Sequence, residues 1–412
     1  MTLAHEIVLT ALENYEAEGQ PHAMFRWLRQ NDPVYWHPQA DGPGFWAVTR
    51  YEDVRTVSRD PETFSSYRGG IHIGTPNPQT LEGARNMMLF KDPPEHTRYR
   101  HLVNKGFTPR SAAMLTDRIQ ELARQIVDEV IERGECDLVT DIAGELPSYV
   151  IAELMGIPLE DGRELYEWTE IMHSTDHSIP LEKRQQALPN MLRYAQSVAD
   201  AKRANPGNDI ASKLVGSEVD GHELTDEEFD WFFLLLINAG GDTTRNLVAG
   251  GMEVLFHHPG ERKRLQDNLE DLLPTAVEEM LRYCSPVVYM RRTATKDTEL
   301  RGKQIREGDA VAVFYGSANR DEDEFPDPDR FDVSRTPNEH MAFGGGGPHY
   351  CLGAHVARIE AQAILREMLT RMPDMEPAGP VERLPSNFIA GPRHLPVRFT
   401  PGKRQSTESG RR

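Results

Sequence analysis

One cysteine follows a run of residues that cannot form regular secondary structure. Phe343 is followed by four glycines, Pro348, His349 and Tyr350, and Cys351 comes next. Glycine costs backbone entropy in a helix or strand, and proline lacks a backbone donor, so this segment must be a loop. Such a loop allows the backbone to approach a flat or bulky group closely.

A helical pattern begins directly after this cysteine. Small and apolar residues recur at spacings of three and four from Ala354 to Met368. We therefore expect Cys351 at a helix N-terminus, where free N–H groups and the helix dipole favour a thiolate. An isolated cysteine is more often a buried, inert thiol. A lone thiolate in a glycine-rich loop instead suits the axial ligand of a haem iron.

The segment from Phe343 to Gly353 resembles the haem-binding signature of the cytochrome P450 superfamily. The phenylalanine, the glycines, a histidine two residues before Cys351 and a glycine two residues after it are all present. Phe343 stands one residue further from the cysteine than in many members. This longer spacing resembles a bacterial subset that oxidises steroid side chains, branched lipids and terpenoids. The resemblance covers about residues 20 to 400.

The resemblance implies a mainly α fold with small β-sheets, in which a single cytochrome P450 domain encloses haem b. We place this domain at residues 1–402, and the polar composition of residues 403–412 predicts a disordered C-terminal tail. Strand patterns flank an Asp41–Gly42 turn, which predicts a hairpin. Further strands are expected at 299–300 and at 310–314, separated by a turn at Glu307–Gly308.

The longest predicted helix begins at a capping box formed by Thr225 and Glu228 and ends before Pro259. Its first half is apolar nearly all round, so we expect it to be buried. Gly240, a second glycine, Asp242 and two threonines then occupy the middle of the helix, where they are poor choices. Hydroxyl and carboxylate groups there compete for backbone carbonyls and can open the helical ladder.

This polar interruption has two interpretations. It is either a packing notch with a solvated acid, or a functional site, where helix rules are expected to fail. The resemblance implies the second, an oxygen-binding groove over the haem. Gly240 would then leave room for dioxygen, Thr243 would donate a hydrogen bond and hold a water molecule, and Asp242 would relay protons from solvent.

A Glu-x-x-Arg sequence precedes the cysteine by about 70 residues. Glu279 and Arg282 share one helix face, and such pairs are usually surface salt bridges of little consequence. The resemblance implies a structural network in which Arg330, from the segment 328–331, joins them. No catalytic role follows for these three residues.

Haem carries two propionates, so cations must converge on its edge. His96 and Arg100 lie four residues apart on a predicted helix and share a face. The resemblance extends propionate binding to Arg292 and His349, although Arg291 leaves the choice between the two arginines open. Each residue taken alone could be an ordinary solvated charge. The resemblance also places Phe343, Gly240 and Gly353 against the haem.

The expected substrate wall is almost entirely apolar, which suits a hydrophobic ligand. Methionines in it could adapt to a branched or ring-bearing molecule. Any one of these residues could equally be ordinary core. By their position in the family pattern, the wall residues are Met87, Met88, Phe232, Leu235, Leu236, Ala239, Val287, Val288, Met290 and Phe388.

Composition excludes several classes of protein. The chain has 412 residues, of which 38% are hydrophobic and 27% charged, as expected for a globular protein. No segment has the roughly 18 consecutive apolar residues of a membrane span, and no signal peptide opens the chain, so we expect a cytoplasmic protein without a membrane anchor. The net charge of −19 argues against nucleic acid as a partner. Three cysteines are too few for a disulfide framework.

The resemblance predicts a haem-thiolate monooxygenase that hydroxylates a steroid, terpenoid or fatty-acid-like molecule with O2. The sequence contains no flavin or iron–sulfur module, so electrons would come from a ferredoxin and its NAD(P)H-dependent reductase. We expect the ferredoxin to dock on a basic patch. Its candidates are Arg98, Lys105, Arg110, His355 and Arg358.

Two alternatives remain open at this point. One is a haem-thiolate peroxygenase that uses hydrogen peroxide, and the other is a non-catalytic haem or ligand-binding protein. The acid–alcohol pair of Asp242 and Thr243 argues against the peroxygenase, because relatives of that kind usually lack the pair. A binding protein would not need a proton relay.

Overall fold

The computed structural model describes residues 7–40, 42–75, 77–104, 106–173, 179–219 and 222–405. Helices predominate, as expected. The α-helices of the described ranges are α1 (Glu13–Glu18), α2 (His22–Asn31), α3 (Tyr51–Arg59), α4 (Pro78–Ala84), α5 (Glu95–Asn104), α6 (Pro109–Ala113), α7 (Thr116–Val130), α8 (Glu145–Met155), α9 (Leu159–His173), α10 (Leu181–Ala204), α11 (Ile210–Val215), α12 (Asp226–His257), α13 (Pro259–Asp267), α14 (Leu269–Cys284), α15 (Tyr315–Ala318) and α16 (Ala354–Arg371). A 3₁₀ turn spans Met88–Phe90 and a π-helical turn spans Val139–Ala143. None of these helices is both long and apolar enough to cross a membrane.

The strands are short. They are β1 (Val34–Gln39), β2 (Gly42–Val48), β3 (Phe64–Ser65), β4 (Glu135–Asp137), β5 (Glu218–Val219), β6 (His222–Glu223), β7 (Tyr289–Ala294), β8 (Thr298–Leu300), β9 (Lys303–Ile305), β10 (Ala310–Phe314), β11 (Glu376–Pro377), β12 (Glu382–Arg383), β13 (Pro392–His394) and β14 (Pro396–Arg398). The chain divides into two compact units. The first unit comprises Met1–Arg98, Glu278–Cys351 and Arg383–Gly391, and the second comprises Tyr99–Val277, Leu352–Glu382 and Pro392–Arg412.

The first unit is built on a five-stranded sheet in the order β1-β2-β10-β7-β3. The predicted hairpin is confirmed, since β1 and β2 pair antiparallel; the turn residue Asp41 lies outside the described residues. Successive strand residues point to opposite faces. Val311 and Val313 accordingly enter one hydrophobic cluster, while Ala312 and Phe314 enter another on the opposite face.

The segment before β10 contains one more strand than predicted. Leu300 belongs to β8, which pairs with β9 in a tight hairpin of its own. Gly302 in that turn has φ +77°, a conformation that glycine adopts without strain. Gly308, with φ +90°, forms the predicted turn that leads into β10. The second turn is predicted from the sequence, and the first is not.

In the second unit α12 begins and ends as predicted. The Thr225 hydroxyl accepts a hydrogen bond from the backbone of Glu228, and the Glu228 carboxylate accepts one from the backbone of Thr225. The helix packs against α8, α9, α10 and α16 of the same unit. The predicted opening of its ladder is wrong, because the helix is continuous from Asp226 to His257. The Thr243 hydroxyl donates to the Ala239 carbonyl at 3.1 Å without displacing the helix backbone.

The predicted boundary of the C-terminal tail at residue 403 is too early. The backbone N–H of Gln405 donates to the Asp128 carboxylate at 3.0 Å. Arg371 on α16 donates to the carbonyl of Lys403 at 3.0 Å, and Arg404 lies 3.1 Å from Glu132. Residues 403–405 therefore belong to the second unit, and residues 406–412 lie outside the described residues.

Candidate active site

The loop before Cys351 is closed by a backbone hydrogen bond. The Cys351 N–H donates to the Phe343 carbonyl at 2.9 Å, and the Gly344 N–H donates to Met341 at 2.9 Å. Gly344, Gly346 and Gly347 have φ of +96°, +87° and +77°. These are left-handed conformations that favour glycine, so the glycine run is what allows the loop to fold back on itself.

The glycines also permit the predicted close approach, and the group they approach is the end of helix α3. A Cβ at Gly345 would lie 2.7 Å from the Ser58 hydroxyl, and one at Gly347 would lie 2.5 Å from the Ser58 carbonyl. A Cβ at Gly346 would meet the Arg59 guanidinium at 2.8 Å. Side chains at these positions would push the loop off α3, so the glycines fix where Cys351 lies within the first unit.

The helical pattern after Cys351 begins at Ala354 as predicted, but Cys351 itself lies two residues before the N-cap and not in the first turn. Helix α16 begins at Ala354, with Gly353 as its N-cap. Cys351 precedes that cap, and its N–H belongs to the loop rather than to the helix. The backbone of the loop, not a helix dipole acting from the first turn, therefore holds the cysteine. Cys351 is exposed, as a side chain that ligates an added group must be.

Two predicted propionate ligands lie side by side in the first unit. The imidazole rings of His96 and His349 are 4.2 Å apart between centroids. His96 is buried, and the Ser66 hydroxyl lies 3.3 Å from Nε2 of His349. The two histidines are far apart in the sequence, and the fold brings them together as the resemblance implied.

The two neighbouring arginines, Arg291 and Arg292, point to opposite faces of β7 and therefore have different surroundings. Arg291 donates to the carbonyls of Gly74 at 2.7 Å and His72 at 3.3 Å, so it holds the loop that precedes α4. Arg292 points to the other face of the strand and is buried. Burial lowers the pKa of the Arg292 guanidinium, and the charge of Asp92 opposes this effect. A buried cation of this kind favours an anionic partner.

These side chains fit the haem that the resemblance implies. The first unit offers one exposed thiol on a fixed loop, two adjacent imidazoles and a buried guanidinium. The haem that the resemblance implies takes a thiolate on its iron, and its two carboxylates favour cationic partners. Asp92, whose charge acts on Arg292, also accepts hydrogen bonds from the Ser66 N–H at 2.7 Å and the Ser65 hydroxyl at 2.5 Å. Arg100, the fourth predicted cation, lies half-buried on the part of α5 that belongs to the second unit.

One face of helix α12 in the second unit is open to solvent at the predicted place. Ala239 is exposed and Thr243 is half-buried, although most of the helix around them is buried. The two residues are four apart, so they share this open face. The role predicted for Gly240 is wrong, because a Cβ there would face Ile151 of α8 at 3.4 Å. Gly240 faces α8, where a Cβ would make an ordinary van der Waals contact, and Ala239 is the small residue on the open face.

The Thr243 hydroxyl also differs from the expectation in its hydrogen bonding. Its proton is directed to the Ala239 carbonyl, so toward a water molecule its oxygen acts as an acceptor. We predicted that it would donate. A hydroxyl held in this way still orients a water molecule on the open face.

Asp242 lies on a different face from Thr243, because consecutive helix residues are rotated by about 100°. Its buried carboxylate lies 3.4 Å from the Arg245 guanidinium. Arg245 also donates to the Tyr166 hydroxyl and the Glu170 carboxylate on α9. This cluster was not predicted, although Arg245 stands at the i+3 position from Asp242, which is a signal for an ion pair.

A second buried carboxyl group was also missed. Glu360 on α16 is buried, and burial raises its pKa to about 8, while a hydrogen bond with Thr244 of α12 opposes the shift. A signal for it existed, because Glu360 stands four residues from Val356 and four from Ile364, both of which are buried on the same face of α16.

The Glu-x-x-Arg pair is fully buried and not at the surface. Arg282 donates to both carboxylate oxygens of Glu279, at 2.7 and 2.8 Å. The arginine that joins them is Arg335, whose Nε lies 3.1 Å from Glu279. The prediction of Arg330 is wrong, because its side chain is 63% exposed and its guanidinium pairs with Asp332. Only the Arg330 carbonyl takes part, as an acceptor from Arg282 and Arg335.

The residues of the predicted substrate wall differ in exposure: some keep exposed surface, and others are completely buried in the core. Met87, Met290 and Phe388 are partly buried and pack against one apolar cluster of the first unit. Phe232 and Val288 expose no surface and therefore belong to the core, which contradicts their assignment to the wall. Phe232 instead stacks on Tyr99 at 5.9 Å.

The remaining wall residues are assigned by their exposure. Met88, Leu235 and Leu236 are buried but retain some surface, as does the partly buried Val287. Ala239 is exposed on the open face of α12. These five residues stay candidates for contact with a ligand.

The predicted docking cations differ in exposure. Arg98, Arg110 and His355 are exposed. Arg358 is half-buried and donates to the carbonyl of Ala354 at 3.2 Å. Lys105 lies outside the described residues. In the second unit α6, which carries Arg110, packs against α16, which carries His355 and Arg358.

Comparison with known proteins identifies relatives over nearly the whole chain. A family model described as Cytochrome P450 matches residues 156–373. A methyl-branched lipid omega-hydroxylase from Mycobacterium tuberculosis is 40% identical over 388 residues, covering 91% of this chain and 90% of that protein. A steroid C26-monooxygenase from the same organism is 38% identical over 395 residues, covering 93% of this chain and 90% of that protein. A Mycobacterium marinum cytochrome P450 solved in complex with pseudoionone superposes with a TM-score of 0.90 at 38% identity, covering 95% of this chain and 98% of that one.

Proposed function

The chain belongs to the cytochrome P450 family of haem-thiolate monooxygenases, and we propose that it hydroxylates a hydrophobic small molecule of the steroid, terpenoid or fatty-acid type. The observation that carries this proposal is the closed loop of the first unit, in which the Cys351 N–H binds the Phe343 carbonyl and three glycines press on α3. This arrangement presents one exposed thiol in a fixed position.

Haem b is the cofactor that the family implies, and the residues described above would hold it. Cys351 would bind the iron through Sγ. His96, His349 and Arg292 of the first unit would neutralise the propionates, and Arg100 is the further candidate on α5. When bound, thiolate-ligated haem supplies the oxidant that inserts one atom of O2 into a C–H bond, while the other atom leaves as water after two electrons and two protons are taken up.

The chain's own part in the reaction is to orient a water molecule and to supply protons. Thr243 would hold the water through its hydroxyl oxygen, since its proton is directed to Ala239. Asp242 would pass protons inward from solvent by turning its carboxylate. Neither group needs to act as the formal acid, because positioning and proton supply are sufficient. This proton supply favours a monooxygenase over a peroxygenase, in which hydrogen peroxide brings its own protons.

The class of substrate is supported by the apolar wall and by the relatives. Met87, Met290 and Phe388 pack on the apolar cluster that includes Ile71 and Phe90. Two relatives are named for a methyl-branched lipid and for a steroid, and a third was solved with pseudoionone. All three ligands carry methyl branches on an apolar frame. We therefore favour a branched terminal carbon as the position that is hydroxylated.

A ligand titration tests this proposal. Haem-loaded protein would be titrated with a methyl-branched fatty acid, its unbranched analogue of equal carbon number, a steroid with an alkyl side chain, and a polar sugar as control. We expect the absorption change of water displacement with the branched and steroid ligands, followed by a hydroxylated product in mass spectrometry. Binding of the sugar alone, or no product from any apolar ligand that binds, would contradict the proposal.

We further propose that a ferredoxin delivers the electrons and docks beside the basic residues of α6 and α16. The chain as a whole repels an acidic partner, with a net charge of −19, so local cations are needed. Arg110→Glu should raise the ferredoxin concentration for half-maximal turnover several-fold at low salt, and the effect should shrink as salt screens the charges. Arg98→Glu would test, by the same measurement of ferredoxin dependence, whether a cation of the first unit also takes part in docking.

A matched control is Arg398→Glu, which reverses an exposed charge on β14. It should leave the ferredoxin dependence unchanged. Equal effects of Arg110→Glu and Arg398→Glu would show a general charge effect and would move the docking site elsewhere.

A further inference from the structure

A buried arginine on α12 lies between two carboxyl groups. One Nη of Arg245 is 3.4 Å from the carboxylate of Asp242, three residues earlier on the same helix. The other Nη donates to the carboxylate of Glu170 on α9. The side chains of Arg245 and Asp242 are 4% and 8% exposed, whereas that of Glu170 is 44% exposed. The Arg245 guanidinium therefore contacts two carboxylates, and of these two the Glu170 carboxylate is the one exposed to solvent.

Tyr166 links these groups. Its hydroxyl accepts from Arg245 and donates to the Glu170 carboxylate at 3.1 Å. The Arg245 guanidinium carbon lies 5.3 Å from the centre of the Tyr166 ring. Gly241 makes room for that ring, since a Cβ at this position would lie 3.1 Å from it. The glycine beside Asp242 is thus explained by the packing of α9 on α12.

Charges from three elements act on Glu170. They are Asp242 and Arg245 of α12, Glu167 and Tyr166 of α9, and Arg393 and His394 of β13. The Glu170 side chain is only partly exposed, and its partial desolvation, followed by the charge of Asp242, raises its pKa to about 7, while Arg393 and His394 oppose the shift. Burial lowers the pKa of Arg245 to about 10, so the guanidinium remains charged at neutral pH.

We propose that Arg245, Tyr166 and Glu170 are positioning residues for Asp242, and that protonation of Glu170 transfers the guanidinium to Asp242. When Glu170 is ionised it draws Arg245 toward α9, and the Asp242 carboxylate turns more readily. When Glu170 takes a proton from solvent, Arg245 binds Asp242 in preference and holds it. The inference rests on the proposed role of Asp242 in proton supply.

The variant Glu170→Gln tests this switch, because it fixes the neutral state and keeps an acceptor for Arg245. Wild-type turnover should rise as the pH passes from 6 to 8. In Glu170→Gln, turnover at pH 8 should fall about three- to tenfold, the effect of one competing hydrogen bond. The rise with pH should disappear and the solvent isotope effect should increase. The dissociation constant for substrate should stay at the wild-type value, and Glu164→Gln, an exposed change on the same helix, should behave as wild type.

Infrared titration of the carboxyl groups gives a readout that is independent of turnover. Wild-type protein should show a carboxyl band that titrates near pH 7, and Glu170→Gln should lack it. Asp242→Asn should move the midpoint to lower pH, because it removes a neighbouring negative charge. Arg245→Gln should move the midpoint to higher pH.

The outcomes separate this inference from the function on which it rests. If Asp242→Asn leaves turnover unchanged, the proposed proton supply fails. If Asp242→Asn slows turnover while Glu170→Gln keeps the wild-type pH profile and isotope effect, only the switch is overturned. Absence of a carboxyl band assigned to Glu170 near neutral pH would also overturn the switch.

Discussion

Arg335 Nε donates to the buried carboxylate of Glu279 at 3.1 Å, and this contact ties the segment after α15 to helix α14. Glu279 also accepts from the backbone N–H of Asp332 at 3.0 Å and from the amide of Asn338 at 3.1 Å. One fully buried carboxylate thus organises the chain that leads to the Cys351 loop. The neighbouring Arg330, which the sequence suggested for this role, points to solvent.

Arg335→Ala should therefore destabilise the protein far more than Arg330→Ala. Removing one partner of a buried ion pair costs about 3 kcal/mol, at the low end of the usual range here because Arg282 remains bound to Glu279. Arg330→Ala breaks an exposed pair and should cost about 0 to 1 kcal/mol. Urea unfolding followed by circular dichroism measures both changes. Equal losses would show that Arg330 shares the structural role after all.

The buried carboxyl of Glu360 makes stability depend on pH. Its pKa is raised from 4.5 to about 8 in the folded chain, so the native state holds a proton that the unfolded state releases between these values. Stability should fall as the pH rises through this window, by at most about 1.4 kcal/mol per pH unit. Glu360→Gln keeps an acceptor for Thr244 and removes the titration. As the pH increases from 5 to 8, the stability of the variant relative to wild type should therefore increase. If the unfolding midpoints of the two proteins instead changed in parallel with pH, Glu360 would not be the cause of the pH dependence.

Thr243→Ala should uncouple electron consumption from product formation. The variant loses the hydroxyl that is proposed to hold a water molecule on the open face of α12. Product formed per electron pair should fall about tenfold or more, with hydrogen peroxide released instead, while the spectral dissociation constant for substrate stays near wild type. Thr243→Ser keeps the hydroxyl and should keep the coupling. Unchanged peroxide release in Thr243→Ala would remove Thr243 from the account.

The sequence predicts those features of this fold that depend on local residue types. The capping box of Thr225 and Glu228, the stop at Pro259, the β1–β2 hairpin and the loop nature of the glycine run are all local, and all are confirmed. Each depends on a few neighbouring residues whose backbone preferences agree. The family resemblance added the long-range juxtaposition of His96 with His349, which no local rule predicts.

The wrong predictions are of two kinds: which residue of a helix lies on its open face, and which of two nearby residues of the same type makes a contact. Whether Gly240 or Ala239 lies on the open face of α12 depends on helix phase, which several glycines and threonines in succession leave undefined. The choice of Arg330 over Arg335 failed because both follow the same segment, and only the tertiary path decides which one reaches Glu279. The i+3 spacing from Asp242 was a local signal for Arg245, whereas its other partners, Tyr166 and Glu170, come from another helix and have no local signal.

The proposal that Cys351 ligates the haem iron is tested most directly by the absorption spectrum of the reduced protein with carbon monoxide. We expect the long-wavelength Soret band that is specific for thiolate ligation. Cys351→Ser should lose that band or bind haem poorly, whereas Cys136→Ser and Cys284→Ser, which change the other two cysteines, should retain it. A wild-type spectrum typical of histidine ligation, or a thiolate band that survives in Cys351→Ser, would contradict the account.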